Sequence, residues 1–231
     1  MITRVDHTGM TTVVLLSGGL DSAVLAAHEA QASHVLPVYV RVGLTWEDAE
    51  VAMVERLLRA PVFAGRVEAL VCVEFTMRDV YEPSHWAIRG TPPAYDTPDE
   101  DVYLTGRNLV LLTKAGVVAA RHDAHRIALG PLAGNPFPDA RPAFFASMSK
   151  SLSLGLDHAI EVVAPFLTWE KAAVIRCGHE LGVPMELTLS CMNPAPGPMH
   201  CGLCSKCRER RDAFAAAGIA DPSSYANLSP R

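Results

Sequence analysis

The chain has 231 residues, 49% hydrophobic and 19% charged, with a formal net charge of −5, proportions that suit one soluble globular domain carrying a small appendage. No apolar run approaches the ~20 residues of a membrane span, and the net acidity argues against a broad electrostatic grip on nucleic acid, so small-molecule work is favoured. The start, Met1 to Asp6, has neither the basic nor the apolar region of a signal peptide, and a cytoplasmic location is expected.

Taken in chain order, Thr11 to Leu16 is a predicted strand, because Val13-Val14-Leu15-Leu16 suits a strand buried on both faces. It leads through Leu16-Ser17-Gly18-Gly19-Leu20-Asp21-Ser22 into a helical stretch, Ala23 to Ala32. Two glycines let the backbone approach phosphate oxygens, Ser17 and Ser22 offer hydroxyls, and Asp21 can hold a magnesium ion against a pyrophosphate at the helix N-terminus. A capping role for Asp21 would explain Ser-Gly-Gly alone. Two hydroxyls, two glycines and a carboxylate in one turn read instead as a nucleotide phosphate cradle. The turn is neither a Walker A loop, which ends in Lys and Ser or Thr, nor the Gly-x-Gly-x-x-Gly dinucleotide fingerprint.

Downstream, strands are predicted at 34–40 and 66–75 with a helix at 46–58 between them, and this alternation implies parallel pairing with right-handed crossovers. Residues 78–101 break the rhythm with four prolines and a cluster of acids, and read either as a lid or substrate loop or as a plain surface insertion. Helices follow at 109–122, 141–156 and 169–181, alternating with strands at 126–130 and 159–164. Phe144, Phe145, Met148 and Leu152 form a core stripe, and Gly182 with Pro184 stops the last helix. The expected fold class is α/β: a doubly wound five-stranded parallel sheet with a C-terminal metal appendage.

Six cysteines are present. Cys72 and Cys177 stand apart and are expected to behave as small buried hydrophobes without a role. Cys191, nine residues, then Cys201-x-x-Cys204-x-x-Cys207 matches a tetrahedral all-cysteine zinc site, with an iron–sulfur cluster as its rival. Four thiolates leave no open position, so such a metal pins the C-terminal segment and does not activate water. His200, beside a ligand, reads as a surface histidine, and Arg208, Arg210 and Arg211 as a solvated face of the following helix.

The Ser17–Ser22 string resembles the signature of the PP-loop ATP pyrophosphatases. Together with the four cysteines it resembles the QueC family, the 7-cyano-7-deazaguanine synthases. Tyr103-Leu104-Thr105-Gly106-Arg107-Asn108-Leu109 looks like the family's Gly-Arg-Asn segment, Phe137-Pro138-Asp139-Ala140-Arg141 its Tyr-Pro-Asp-Cys-Arg region, and Asp221-Pro222-x-x-Tyr225 its ending. Lys171 after Pro165-Phe166-Leu167-Thr168 and Arg210 beyond Cys207 also match.

The resemblance implies a PP-loop, HUP-like and Rossmann-like domain over 1–188 and a four-cysteine zinc segment over 189–231, packed as a single structural unit. It implies conversion of 7-carboxy-7-deazaguanine to its nitrile with ATP and ammonia, with Mg2+ and Zn2+ as metals and a homodimer as the assembly. ATP contacts are implied for Leu16, Ser17, Gly18, Gly19, Leu20, Asp21, Ser22, Gly106, Arg107, Asn108 and Gly130, and catalytic roles for Ser17, Asp21, Ser22, Arg107 and Lys171. The chain departs from the family pattern at Val40–Glu47, at Gly130–Pro136 and at Ala140, all on the acceptor side. Two alternatives follow: a PP-loop ligase for a different carboxylate, or a nucleotide- or tRNA-binding zinc module without turnover.

Overall fold

The computed structural model describes residues 10–197 and 199–227, so the Met1–Asp6 start lies outside the described residues. Five parallel strands, β1 (Thr11–Leu15), β2 (His34–Arg41), β3 (Val71–Glu74), β4 (Arg126–Ala128) and β5 (Glu161–Val163), form one sheet in the order β3-β2-β1-β4-β5. The helices are α1 (Leu20–Glu29), α2 (Glu47–Leu57), the one-turn α3 (Trp86–Arg89), α4 (Arg107–Arg121), α5 (Pro142–Leu156), α6 (Lys171–Glu180) and α7 (Ser205–Ala217). Among the described residues, no helix is long and apolar enough to cross a membrane.

Alternation along β1 explains the two layers of core. Val13 points to one face and packs with Val38, Leu112, Ala115, Ile127, Phe145 and Leu152, so α4 and α5 cover that side. Val14 points to the other, into Leu25, Val35, Phe166, Val174 and Ile175 from α1, α6 and their neighbours. The apolar run at the start is thus buried on both faces, as a central parallel strand must be. α4 and α5 approach closely because position 116 is glycine; a Cβ there would stand 2.7 Å from Leu152 Cδ2.

The winding places the crevice. The chain runs β1, β2, β3 toward one edge, then α4 carries it back across to β4 and β5 on the other side of β1. The order therefore reverses between β1 and β4, and loops beyond their carboxyl ends diverge there to leave a cleft.

Several local expectations are corrected. The first helix begins at Leu20, so Leu20, Asp21 and Ser22 form its first turn. The third strand is shorter than 66–75: only Val71–Glu74 pairs as a ladder with β2, and Val67 makes an isolated bridge to Val35. The 78–101 stretch holds α3 and is tied down: Arg208 donates to the carbonyls of Tyr95 (2.7 Å) and Thr97 (3.1 Å), and Ala94 bridges Cys204. Cys72 is exposed on edge strand β3 and Cys177 half-buried on α6, so neither is a buried core residue. Phe145, Met148 and Leu152 are buried and Phe144 half-buried on the expected stripe of α5.

Candidate active site and metal centre

β1 ends at Leu15, and the chain turns through Ser17-Gly18-Gly19 into α1. Gly18 has φ +79°, and a Cβ on it would lie 3.0 Å from Val54 Cγ2 and 3.1 Å from the Glu50 carbonyl oxygen, so the turn needs glycine for both conformation and space. Its carbonyl accepts from Leu189 N–H at 2.8 Å, which joins the turn to the segment leading into the cysteines. Ser17 Oγ accepts from Gly19 N–H (3.3 Å) and lies 3.2 Å from Ser22 Oγ, which donates to the Gly19 carbonyl (3.0 Å). No side chain caps the start of α1, where the backbone N–H groups carry the positive end of the helix dipole.

Two adjoining chambers open at this turn. The smaller, about 280 Å3, runs under Tyr39, Leu111 and Phe137; the larger, about 490 Å3, reaches Trp86, Lys171 and Met192. Ser17, Gly19, Asp21, Arg107 and Gly130 line both. Gly130 follows β4, and a Cβ on it would stand 3.6 Å from the Asp21 backbone. The cleft therefore sits at the switch between β1 and β4.

Of the expected site residues, Leu16, Ser17, Gly19, Asp21, Ser22, Arg107, Asn108 and Gly130 line the smaller chamber, and Leu20 and Lys171 the larger. Gly18 and Gly106 line neither: Gly18 is the tight corner of the turn itself, and Gly106, at φ +76°, is the residue that turns the chain into α4. Asn108 also holds the 138–140 turn, its amide nitrogens bonding Asp139 Oδ2 (3.2 Å, backbone) and the Asp139 carbonyl (3.0 Å, side chain). Arg107 enters the cleft from the first turn of α4, and its Nε is buried without a protein hydrogen-bond partner.

Asp21 and Lys171 begin a ladder of alternating charge. Lys171 Nζ lies 3.0 Å from Asp21 Oδ2 and 2.6 Å from Glu209 Oε1, and Lys206 Nζ lies 2.5 Å from Glu209 Oε2. Burial works against the charge on Glu209, but Lys171 and Lys206 outweigh it and hold the carboxyl at about 2. The other Asp21 oxygen, Oδ1, is buried and has no partner in the protein. A buried carboxylate oxygen left bare beside a phosphate cradle fits a hard dication such as magnesium, which takes one or two carboxylates alongside phosphate oxygens.

Sequence reasoning missed Glu50. It sits on α2, buried, in the wall of the larger chamber, and accepts a 2.6 Å hydrogen bond from Tyr39 Oη. Burial pushes its carboxyl up to about 7, with Arg107 and the Tyr39 hydroxyl pulling the other way. Its helical register was the only signal available. The departing segment at Val40–Glu47 also acquires a shape: Glu47 accepts from the N–H groups of Val42 (2.7 Å) and Gly43 (3.1 Å), and Trp46 stacks on Trp86, 5.6 Å between centroids and 6° between planes, in the chamber wall.

The four cysteines converge. Sγ atoms of Cys191 and Cys204 stand 3.9 Å apart, Cys201 and Cys207 3.9 Å, Cys204 and Cys207 3.5 Å, and all four lie within 4.8 Å of one another, buried. Backbone N–H groups of Asn193 and Cys201 point at Cys191 Sγ, and that of Leu203 at Cys201 Sγ, donors that suit thiolates. The four sulfurs are arranged so that they could hold one metal ion.

Two expectations about its surroundings are overturned. His200 is not on the surface: it is buried, accepts from Ser190 N–H at 3.1 Å, and burial together with Arg210 lowers its ring to about 4. Arg210 is not on a solvated face but 0% exposed, bonding Met185 O, Thr188 Oγ1, Ser190 Oγ, Ser223 Oγ and Asp221. Arg211 lies 4.0 Å over the Tyr225 ring.

The family model described as "Queuosine biosynthesis protein QueC" matches residues 11–218, from β1 to the residue after α7. The chain belongs to the QueC family. It is 31% identical to the 7-cyano-7-deazaguanine synthase of Methanopyrus kandleri over 93% of this chain and 98% of that one. It is 35% identical to that of Anaeromyxobacter dehalogenans (93% and 95% covered) and 33% to that of Syntrophotalea carbinolica (93% and 96%). The QueC match spans both the cleft and the four cysteines, so the two belong to one family unit.

Proposed function

We propose that this chain is an ATP-dependent carbon–nitrogen ligase that adenylates 7-carboxy-7-deazaguanine and uses ammonia to form 7-cyano-7-deazaguanine, releasing AMP. The observation that carries the reading is the uncapped, glycine-built turn at the β1/β4 switch, with Asp21 Oδ1 buried and bare beside it, in a chain of the QueC family.

A carboxylate is a poor electrophile. Attack of its oxygen on the α-phosphorus of ATP expels pyrophosphate and makes AMP the leaving group; ammonia then adds at the acyl carbon, AMP departs, and a primary amide remains. The amide oxygen attacks the α-phosphorus of a second ATP, expelling a second pyrophosphate as one amide proton leaves, and loss of AMP with the remaining N–H proton gives the nitrile. The protein's part is mainly to position charge. Ser17, Gly18, Gly19, Leu20 and Ser22 hold the phosphates, Leu16, Gly106, Asn108 and Gly130 shape the nucleotide side, and Arg107 and Lys171 neutralise charge on the pyrophosphate. Magnesium, held by Asp21, supplies further neutralisation there.

For the cysteines we assign zinc. Four sulfurs 2.3 Å from a single tetrahedral ion stand about 3.8 Å apart, close to the 3.5–3.9 Å of three of the pairs, with all of them within 4.8 Å, whereas sulfurs on different irons of a cluster have the cluster between them. Residues 189–231 are then a zinc-pinned segment packed on the 1–188 ATP domain, and the working form is a cytoplasmic homodimer without a nucleic-acid partner.

A second reading, a different carboxylate acceptor, rests on Trp46 and Glu47 in the departing Val40–Glu47 turn. The assay is purified protein with magnesium ATP, ammonium and 7-carboxy-7-deazaguanine, followed by mass spectrometry. Nitrile with AMP and pyrophosphate is the expected result. AMP with some other acid alone favours the second reading, and no AMP with any carboxylate overturns both.

A further inference from the structure

Lys171, the first residue of α6, stands in the larger chamber between two carboxylates that come from different helices. Asp21 lies in the first turn of α1, and Glu209 on α7, two residues beyond Cys207. α6 packs against both of those helices, and Val24, Val174, Ile175 and Phe214 share one layer of core, which fixes the three charged side chains relative to one another. Lys171 Nζ donates to Glu209 Oε1 at 2.6 Å and to Asp21 Oδ2 at 3.0 Å. An ammonium carries three hydrogens. Two bonds fix its orientation, and among the described residues the third hydrogen meets no protein acceptor.

We infer, resting on the ATP-dependent reading proposed above, that Glu209 is a positioning residue for the phosphate chain: it draws Lys171 off Asp21 and aims the third ammonium hydrogen at a phosphate oxygen held by the Ser17–Ser22 turn. The shorter of the two bonds goes to Glu209, so Asp21 shares Lys171 through one oxygen and keeps Oδ1 bare. Without Glu209 the ammonium has Asp21 as its one carboxylate and closes on it, which spends the hydrogen aimed at phosphate and covers the bare oxygen. As a mere charge Glu209 would do harm, because a carboxylate in the wall of an anion chamber repels the anion. Lys206, 2.5 Å from Glu209 Oε2, holds its other oxygen, and the two carboxylates and two ammoniums of the row balance. The cysteine segment thereby supplies part of the ATP cleft itself and is more than a brace behind it.

The test is titration calorimetry with inorganic pyrophosphate at fixed free magnesium, on full-length protein carrying its tightly held metal at the cysteines. AMP release from ATP is assayed on the same preparation, so a failure of the ligase reading is seen separately. Glu209→Gln keeps the side chain's size and removes its charge, and is expected to bind pyrophosphate about tenfold more weakly, the loss of one charge-assisted hydrogen bond. In a Lys171→Met background the same change is expected to move the affinity by less than about twofold, since the group that Glu209 positions is gone. A bystander charge predicts the opposite sign, tighter binding once its repulsion is removed, and a merely structural role predicts equal losses in both backgrounds. The sign in Glu209→Gln alone decides should Lys171→Met not fold. Unchanged or tighter binding in Glu209→Gln, equal losses in both backgrounds, or no binding by wild type overturns the assignment.

Discussion

Asp21 carries two jobs on two oxygens, one toward Lys171 and one bare, and the contrast defines what its loss does. Asp21→Ala is expected to abolish AMP release while leaving the far-ultraviolet circular dichroism unchanged, since the side chain caps no helix and fills no core; full turnover in the variant would remove Asp21 from the site. Glu50 gives a pH signature. Its carboxyl is raised from about 4.5 to about 7 in the folded chain, so between those values the native state binds more protons than the unfolded state. Stability is then lost as pH rises through that window, by up to about 3 kcal/mol. Urea titrations at pH 5 and pH 8 are expected to show wild type losing this amount relative to Glu50→Gln, since the buried His200 ring, lowered to about 4, adds stability over the same range equally in both. An equal pH slope in both would assign the wall of the larger chamber a carboxylate that ionises normally.

At the scale of elements, the strand–turn–helix at the cradle and the helix after the cysteines behave differently. The cradle is local: strand, glycines and helix follow within a dozen residues, and its conformation follows from their order. Gly18→Ala forces a Cβ into a left-handed conformation against Val54 and the Glu50 carbonyl, with an expected loss of about 1–2 kcal/mol in denaturant midpoint and a raised KM for ATP. α7 is held from afar. Arg210 reaches Met185 and Thr188 before the cysteines and Asp221 and Ser223 beyond the helix, so Arg210→Ala leaves several buried polar groups unpaired. An expected loss of about 3–5 kcal/mol is measurable by urea denaturation; a loss below 1 kcal/mol would mean that α7 is held by the cysteine site alone.

Across the whole molecule, what was legible in sequence was what is contiguous. The alternation of elements gave five strands in the right order along the chain, and Cys191 with the Cys201–Cys207 run named the metal site, because thiolate spacing is a property of one segment. Arg210 and His200 read as surface residues because their partners arrive from 10 to 25 residues away, and Glu50 and Trp86 were invisible as cleft residues because only the fold brings α2 and α3 to the cleft wall. The same long-range ties predict how metal loss spreads. Cys204→Ser is expected to lose the metal by elemental analysis and, since Gly18 is bonded to Leu189, to weaken ATP binding as well; wild-type metal content would remove Cys204 from the coordination sphere. The most direct measurement follows the acid's own oxygen. With 7-carboxy-7-deazaguanine labelled with 18O in its carboxylate, one labelled oxygen is expected in each AMP and two AMP per nitrile; label in inorganic phosphate or water, with none in AMP, would contradict adenylation of the acid.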